Sequence, residues 1–152
     1  MTSGRSTYLV DSNVLLYAYD ASEGAKRDRA IDVIERLAES RTGVLSVQVL
    51  GEFYVNAIGK IRPPMQPEEA AQRVAHYMRA WPIFDLTSSS VAEAVRCSRE
   101  HQLSYWDALV WAAAKLNGVP NVLTEDLQSL GIIEGVTIVN PFSPSFDPAV
   151  LQ

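Results

Sequence analysis

With 152 residues, 47% of them hydrophobic, the chain is sized for one globular domain that buries a layered core without disulfides. Its formal net charge of -5 and pI near 5.0 exclude broad electrostatic attraction to nucleic acid, which depends on lysine and arginine neutralising phosphates. Cys97 is the only cysteine, which excludes an internal disulfide framework and a cysteine-based zinc cluster and points to a reducing, cytoplasmic setting.

The start, MTSGRSTYLVD, lacks the long apolar core of a secretory signal, and the first apolar run, YLVD, reads as a strand that leads into VLLYAYD. In RAIDVIERLAE, Ile31, Ile34, Leu37 and Ala38 are predicted to share the buried face of a helix, opposite Asp32, Glu35, Arg36 and Glu39. GVLSV reads as a second strand, and a helix around Val49 to Ile58 breaks in GKIRPPMQP, where prolines and a glycine stop helical continuation. A helix around Glu68 to Arg79 follows, then PIFDL as a third strand. Ser90 with Glu93 has the capping-box spacing that would open the helix VAEAVRCSREH. The next helix spans about Tyr105 to Leu116 and leads through Gly118 and Pro120 into a fourth strand, NVLT; a turn then precedes the fifth, TIVN. The longest apolar run, ALVWAAA, is too short to cross a bilayer, so no membrane association is expected. Short strands separated by helices favour parallel crossovers, hence a three-layer α/β/α sandwich around a mainly parallel five-stranded sheet. The tail NPFSPSFDPAVLQ, with three prolines, is expected to be extended, either packed across the domain or mobile.

Four acids stand where an apolar strand gives out or a helix begins: Asp11, Glu52, Asp107 and Asp126. In a parallel α/β sheet the carboxyl ends of the strands and the starts of the following helices share one rim, so carboxylates distant in sequence can meet there. Two divalent cations among them would neutralise the cluster; setting the four aside takes the net charge from -5 to -1, which leaves a phosphodiester substrate open. Each acid also has a plain structural reading. Asp107 with Ser104 can complete a capping box, Thr124 with Asp126 can cap a turn, and Asp11 can cap whatever follows the first strand. Glu52 fits such a role less well, because it sits beside Val49, Leu50 and Phe53, where an unpaired buried carboxylate is costly.

Other features carry less. His76 and His101 have no paired spacing that suggests zinc, and neither a phosphate loop nor a dinucleotide-binding glycine motif is present. Trp81, Trp106 and Trp111 read as core and interface residues rather than stacking partners for bases. Lys60 and Arg62, in the proline-rich break, can either contact a phosphate backbone or remain solvated.

Taken in order and spacing, YLVDSNVLLYAYD, the helix carrying Glu52, SYWDALVWAAA, LTEDL and TIVNPF resemble a PIN domain of the VapC toxin type, from Tyr8 to about Phe142. The resemblance implies a PIN-like nuclease domain over residues 1–142 with a tail over 143–152, divalent-metal-dependent endoribonuclease activity, and a cognate antitoxin as partner. It assigns the catalytic and metal-ligand positions to Asp11, Glu52, Asp107 and Asp126. It gives supporting positions to Asn13 and Thr124, while Glu125 beside Asp126 leaves open which of the pair approaches the metal. It also implies a homodimer.

Oxygen ligands suit Mg²⁺ or Mn²⁺, which accept carboxylates and keep water. Such ions activate water and stabilise the leaving oxygen of an in-line displacement, so the ribose 2′-hydroxyl is not required chemically. Two rival readings remain at this level. A phosphoacceptor domain would want a second acid near Asp11 and a lysine at a late strand end, whereas Lys115 falls inside a helix. A non-catalytic, metal-stabilised PIN-like interaction module would use the same ligands without turnover.

Overall fold

In the computed structural model, which describes residues 5–127 and 131–152, successive residues of the central short strands serve two different cores. The strands are β1 (Tyr8–Val10), β2 (Gly43–Ser46), β3 (Ile83–Phe84), β4 (Asn121–Leu123), β5 (Ile132–Ile133) and β6 (Val136–Val139). Between them lie α1 (Ser12–Tyr17), α2 (Ala25–Ser40), α3 (Val47–Gly59), α4 (Pro67–Ala80), α5 (Ser88–His101) and α6 (Tyr105–Leu116). Val10, Leu45 and Leu123 join Val33, Val49, Phe53 and Tyr77 in the core under α1 to α4. Leu9, Val44, Val122 and Ile138 join Ala94, Cys97 and Trp111 in the core under α5 and α6. Helices therefore cover both faces of the sheet, the three-layer arrangement expected of strands buried on both sides.

The sheet order is β3-β2-β1-β4-β6-β5, and every pairing is parallel except β5 with β6. Five strands match those expected from the sequence. The sixth, β5, is two residues long and pairs with β6 across Glu134 and Gly135, both at positive φ (48° and 88°). Left-handed geometry at both central residues is the tight hairpin turn that usually advertises itself as Asn-Gly; here it is Glu-Gly, and Ile132–Ile133 is too short to show alternation.

Two local expectations are corrected. The buried stripe of α2 is Ala30, Val33 and Leu37, with Ile34 partly buried and Ala38 exposed, so the face is rotated from the one expected. Helix α5 starts earlier than expected: Thr87 is its N-cap, and its capping box pairs Thr87 with Ser90. Glu93 instead sits inside α5, where its carboxylate meets Arg96 at 2.6 Å and Lys115 at 2.7 Å and is held down to about 2 by those cations. Helices α3 and α6 carry the caps that matter for the site, with Ser46 Oγ accepting from the Val49 amide (3.2 Å) and Ser104 Oγ from the Asp107 amide (3.1 Å).

Gly43 opens β2 directly under the Trp81 ring, and an added Cβ would stand inside contact distance of that buried indole. The tail lies back on α2 rather than running free. Arg29 Nη1 donates to the carbonyls of Pro141 (2.7 Å) and Phe146 (3.3 Å), Phe142 meets Tyr17 edge-on, and Leu151 is buried in the first core after a short 3-10 turn at Pro148–Val150. Among the described residues no helix is long and apolar enough to cross a membrane.

Candidate metal centre

Strand order places the switch point of the sheet between β1 and β4, where the chain has wound outward to β2 and β3 on one side before returning to β4. Ligands bind outside the carboxyl ends of the strands at such a point. Asp11 follows β1 directly, and Thr124, Glu125 and Asp126 follow β4. Helix α6 brings Asp107 to the same rim in its first turn. One carboxylate oxygen from each of Asp11, Asp107 and Asp126 lies within 4.8 Å of the others.

Thr124 is the hub of this cluster. Its fully buried hydroxyl donates to Asp11 Oδ2 (2.8 Å) and accepts from the Asp126 amide (3.1 Å) and Asn13 Nδ2 (3.3 Å). Asn13 Nδ2 also reaches Asp126 Oδ2 (3.1 Å), and its Oδ1 accepts from the Glu125 amide (3.4 Å). Asp11 is meanwhile the N-cap of α1, accepting from the Ser12 amide through Oδ1 (2.8 Å). Capping and clustering are thus not alternatives here, because the two oxygens of Asp11 divide the tasks.

Glu52 stands outside the three-carboxylate group and joins it through side chains. Ser12 Oγ donates to Glu52 Oε1 (3.0 Å), and Gln48 Nε2 donates to Glu52 Oε2 (3.3 Å) and to the Trp106 carbonyl (3.1 Å). Gln48 Oε1 is buried without a hydrogen-bond partner among the described residues. Turning the amide over would set that oxygen against two acceptors, so the orientation follows from its neighbours. Ser12 and Gln48 carry no motif of their own in the sequence. Only the i, i+4 spacing of Gln48 and Glu52 on one helix offers a signal for the second.

Glu125 turns away from the cluster. Its carboxylate pairs with Lys26 Nζ at 2.5 Å and accepts from the Tyr17 hydroxyl at 2.6 Å, and these two partners hold its pKa down against the opposing effect of burial. Asp126 therefore carries the carboxylate that faces Asp11 and Asp107. Lys60 and Arg62 lie on an exposed flank and line a cleft with Asn13, Tyr17 and Asp20, one wall of which is continuous with the centre through Asn13.

Burial pushes the Asp11 carboxyl up to about 7; the Thr124 hydroxyl and Ser12 amide pull against that shift, and the charges of Glu52 and Asp126 add to it. Asp107 is raised as well, by burial first and by Asp126 after the opposing bond from Ser104. Desolvation outweighs like-charge repulsion at both positions. Among the described residues the donor set is hard oxygen throughout, with neither His nor Cys in the cluster, and it includes a buried carboxyl whose charged form has no cationic partner there. That combination fits Mg²⁺ or Mn²⁺ and not a zinc site. A second group, Glu100, His101 and Glu134, is already tied to Arg96 and Lys115 by ion pairs.

The family model described as PIN domain matches residues 8–130. Among solved structures, the chain is similar to a toxin-antitoxin complex from Klebsiella pneumoniae, with 20% identity over 90% of this chain and 98% of that one and a TM-score of 0.64. It is also similar to DNA-bound VapBC from Salmonella typhimurium (15% identity, 90% and 98% covered, TM-score 0.66). A third is VapC20 from Mycobacterium tuberculosis, described as a Sarcin-Ricin loop cleaving toxin (21% identity, 84% and 98% covered, TM-score 0.62). At these identities the likeness is one of fold. No curated protein sequence matches the chain.

Proposed function

Because this chain belongs to the PIN domain family, we propose that it is a divalent-metal-dependent endoribonuclease that hydrolyses RNA phosphodiester bonds, acting as the toxin of a type II toxin-antitoxin pair. The observation that carries the proposal is the convergence of Asp11, Asp107 and Asp126, from three distant segments, within 4.8 Å at the switch point of the sheet. Mg²⁺ or Mn²⁺ bound there would supply Lewis acidity toward the phosphodiester and lower the pKa of water, so that hydroxide becomes available as the nucleophile at neutral pH. Asp11, Asp107 and Asp126 would hold the ion, and Glu52 would add negative charge from the side of α3. Thr124 and Asn13 fix the carboxylates in register, and their hydrogen bonds leave the ligand oxygens little freedom to reorient. Lys60 and Arg62, which line the flanking cleft, would meet phosphates that run along it.

The experiment is single-turnover cleavage of an RNA panel by purified protein in Mg²⁺, Mn²⁺ and chelator. Cleavage in both metals and none in chelator supports the reading. A folded, metal-binding protein that cuts no RNA would instead support a non-catalytic interaction module. Within the site, Asp126→Asn is expected to lower cleavage by at least roughly tenfold, whereas Glu125→Gln changes it by no more than a few fold, since Glu125 serves Lys26 and Tyr17. Equal losses in the two variants would reverse the assignment.

The toxin reading brings a protein partner. An apolar groove between α3 and α4, lined by Val47, Leu50, Tyr54, Val74 and Met78, suits the hydrophobic face of an antitoxin segment, and α3 carries Gln48 and Glu52 beside the centre. A lysine or arginine from that segment would compete with metal for the carboxylates, so antitoxin affinity should fall as Mn²⁺ rises. The same reading includes a homodimer, which sedimentation of the free protein reads directly.

A further inference from the structure

We infer that Trp106 is a stacking platform for one nucleobase of the substrate beside the metal centre. The inference rests on the ribonuclease reading and adds a residue that positions one base of the substrate.

Of the core and interface roles expected for the tryptophans, Trp81 and Trp111 take the core one, at 6% and 0% exposed, whereas Trp106 is 62% exposed. An exposed apolar side chain is ordinary by itself. Trp106 differs in being held at a fixed place next to the chemistry. It precedes Asp107 in the first turn of α6, roughly 1.5 Å along the helix axis from it. Its carbonyl accepts from Gln48 Nε2 (3.1 Å), the same amide that holds Glu52. Its ring meets Tyr105 edge-on, with centroids 5.0 Å apart and planes at 76°, and Tyr105 is in turn packed against the α5–α6 core. One edge of the indole is therefore braced while much of the ring is open to solvent.

Charge gives the reason such a platform is useful. The chain carries a formal charge of -5, so phosphate attraction away from the metal cannot supply much affinity for RNA. Stacking is indifferent to that charge and requires a base free of its own helix. Lys60 and Arg62 line the cleft on the Asn13 side, and Trp106 stands on the Asp107 side. A strand held at the carboxylates would then have Lys60 and Arg62 for its phosphates and Trp106 for a base.

The test measures binding of a short labelled oligoadenylate, and of an abasic oligomer of equal length, in Ca²⁺ by fluorescence anisotropy for wild type, Trp106→Phe and Trp106→Ala. Trp106→Ala should weaken oligoadenylate binding by roughly tenfold or more while leaving the abasic oligomer unchanged, and Trp106→Phe should recover part of the loss. Thermal unfolding is expected to be the same for all three. Unchanged oligoadenylate binding by Trp106→Ala, or an equal loss on the abasic oligomer, overturns the inference. So does a fall in sedimentation mass with RNA affinity intact, which would make Trp106 a contact between copies. Cleavage in Mg²⁺ is read separately: a wild type that binds through Trp106 but never cleaves contradicts the ribonuclease reading and leaves the stacking result standing.

Discussion

Asp11→Asn is expected to lower single-turnover RNA cleavage by at least roughly a hundredfold while making the metal-free protein more stable at neutral and alkaline pH. The two effects have one cause. Burial raises the Asp11 carboxyl from 3.8 to about 7, so the folded protein holds a proton that the unfolded chain releases far earlier. For a group whose folded pKa is raised, the stabilisation is present below the unfolded value and is lost as pH climbs through the folded one. Between about pH 4 and pH 7 wild-type apoprotein should therefore lose stability from this group, on the order of 4 kcal/mol at most. Asn has no proton to lose, and its amide keeps an oxygen for the Ser12 amide. Urea unfolding in chelator near pH 5 and pH 8 should show the variant gaining on wild type as pH rises. A variant that gains nothing at the higher pH would mean that Asp11 is ionised without cost, contrary to its burial.

Thr124→Val should weaken Mn²⁺ binding by roughly 10- to 100-fold, close to the effect of losing a ligand's main support. Valine fills the volume of threonine but removes the hydroxyl that donates to Asp11 and accepts from Asn13 and the Asp126 amide. Two donors are left facing a methyl group in a buried place, at a cost of about 1–3 kcal/mol in stability. Thr124→Ser retains the hydroxyl and should restore most of the affinity. Calorimetric titration of Mn²⁺ into the two variants separates the hydroxyl from the packing, and equal binding by valine and threonine would remove Thr124 from the centre.

Much of this site was legible because strand ends are easy to locate. YLVD and NVLT end in buried apolar residues followed at once by polar ones, which puts Asp11, Thr124 and Asp126 at the rim once the strands are parallel. Glu52 was legible as an anomaly on an apolar helix, but its link through Ser12 and Gln48 depends on how α1 and α3 meet, which no local pattern encodes. The choice between Glu125 and Asp126 was likewise decided by Lys26 and Tyr17, about a hundred residues away in the chain. Burial, more than repulsion among the acids, raises the Asp11 carboxyl, because the residue follows directly on the buried end of β1. The start of α5 shows the limit of motif spacing. Thr87 to Ser90 and Ser90 to Glu93 both have three-residue separation, and the point where β3 releases the chain selects the first.

The most direct measurement of the central claim is Mn²⁺ binding by calorimetry near pH 6 in buffers of different ionisation enthalpy, for wild type and Asp11→Asn. Asp11, with its pKa at about 7, holds its proton at that pH and must give it up to ligate the ion. Wild type should release close to one proton per ion bound, and Asp11→Asn should bind far more weakly and release a smaller fraction. Buffer-independent heats for wild type, or the same affinity and proton release in both proteins, would contradict a metal centre built on Asp11.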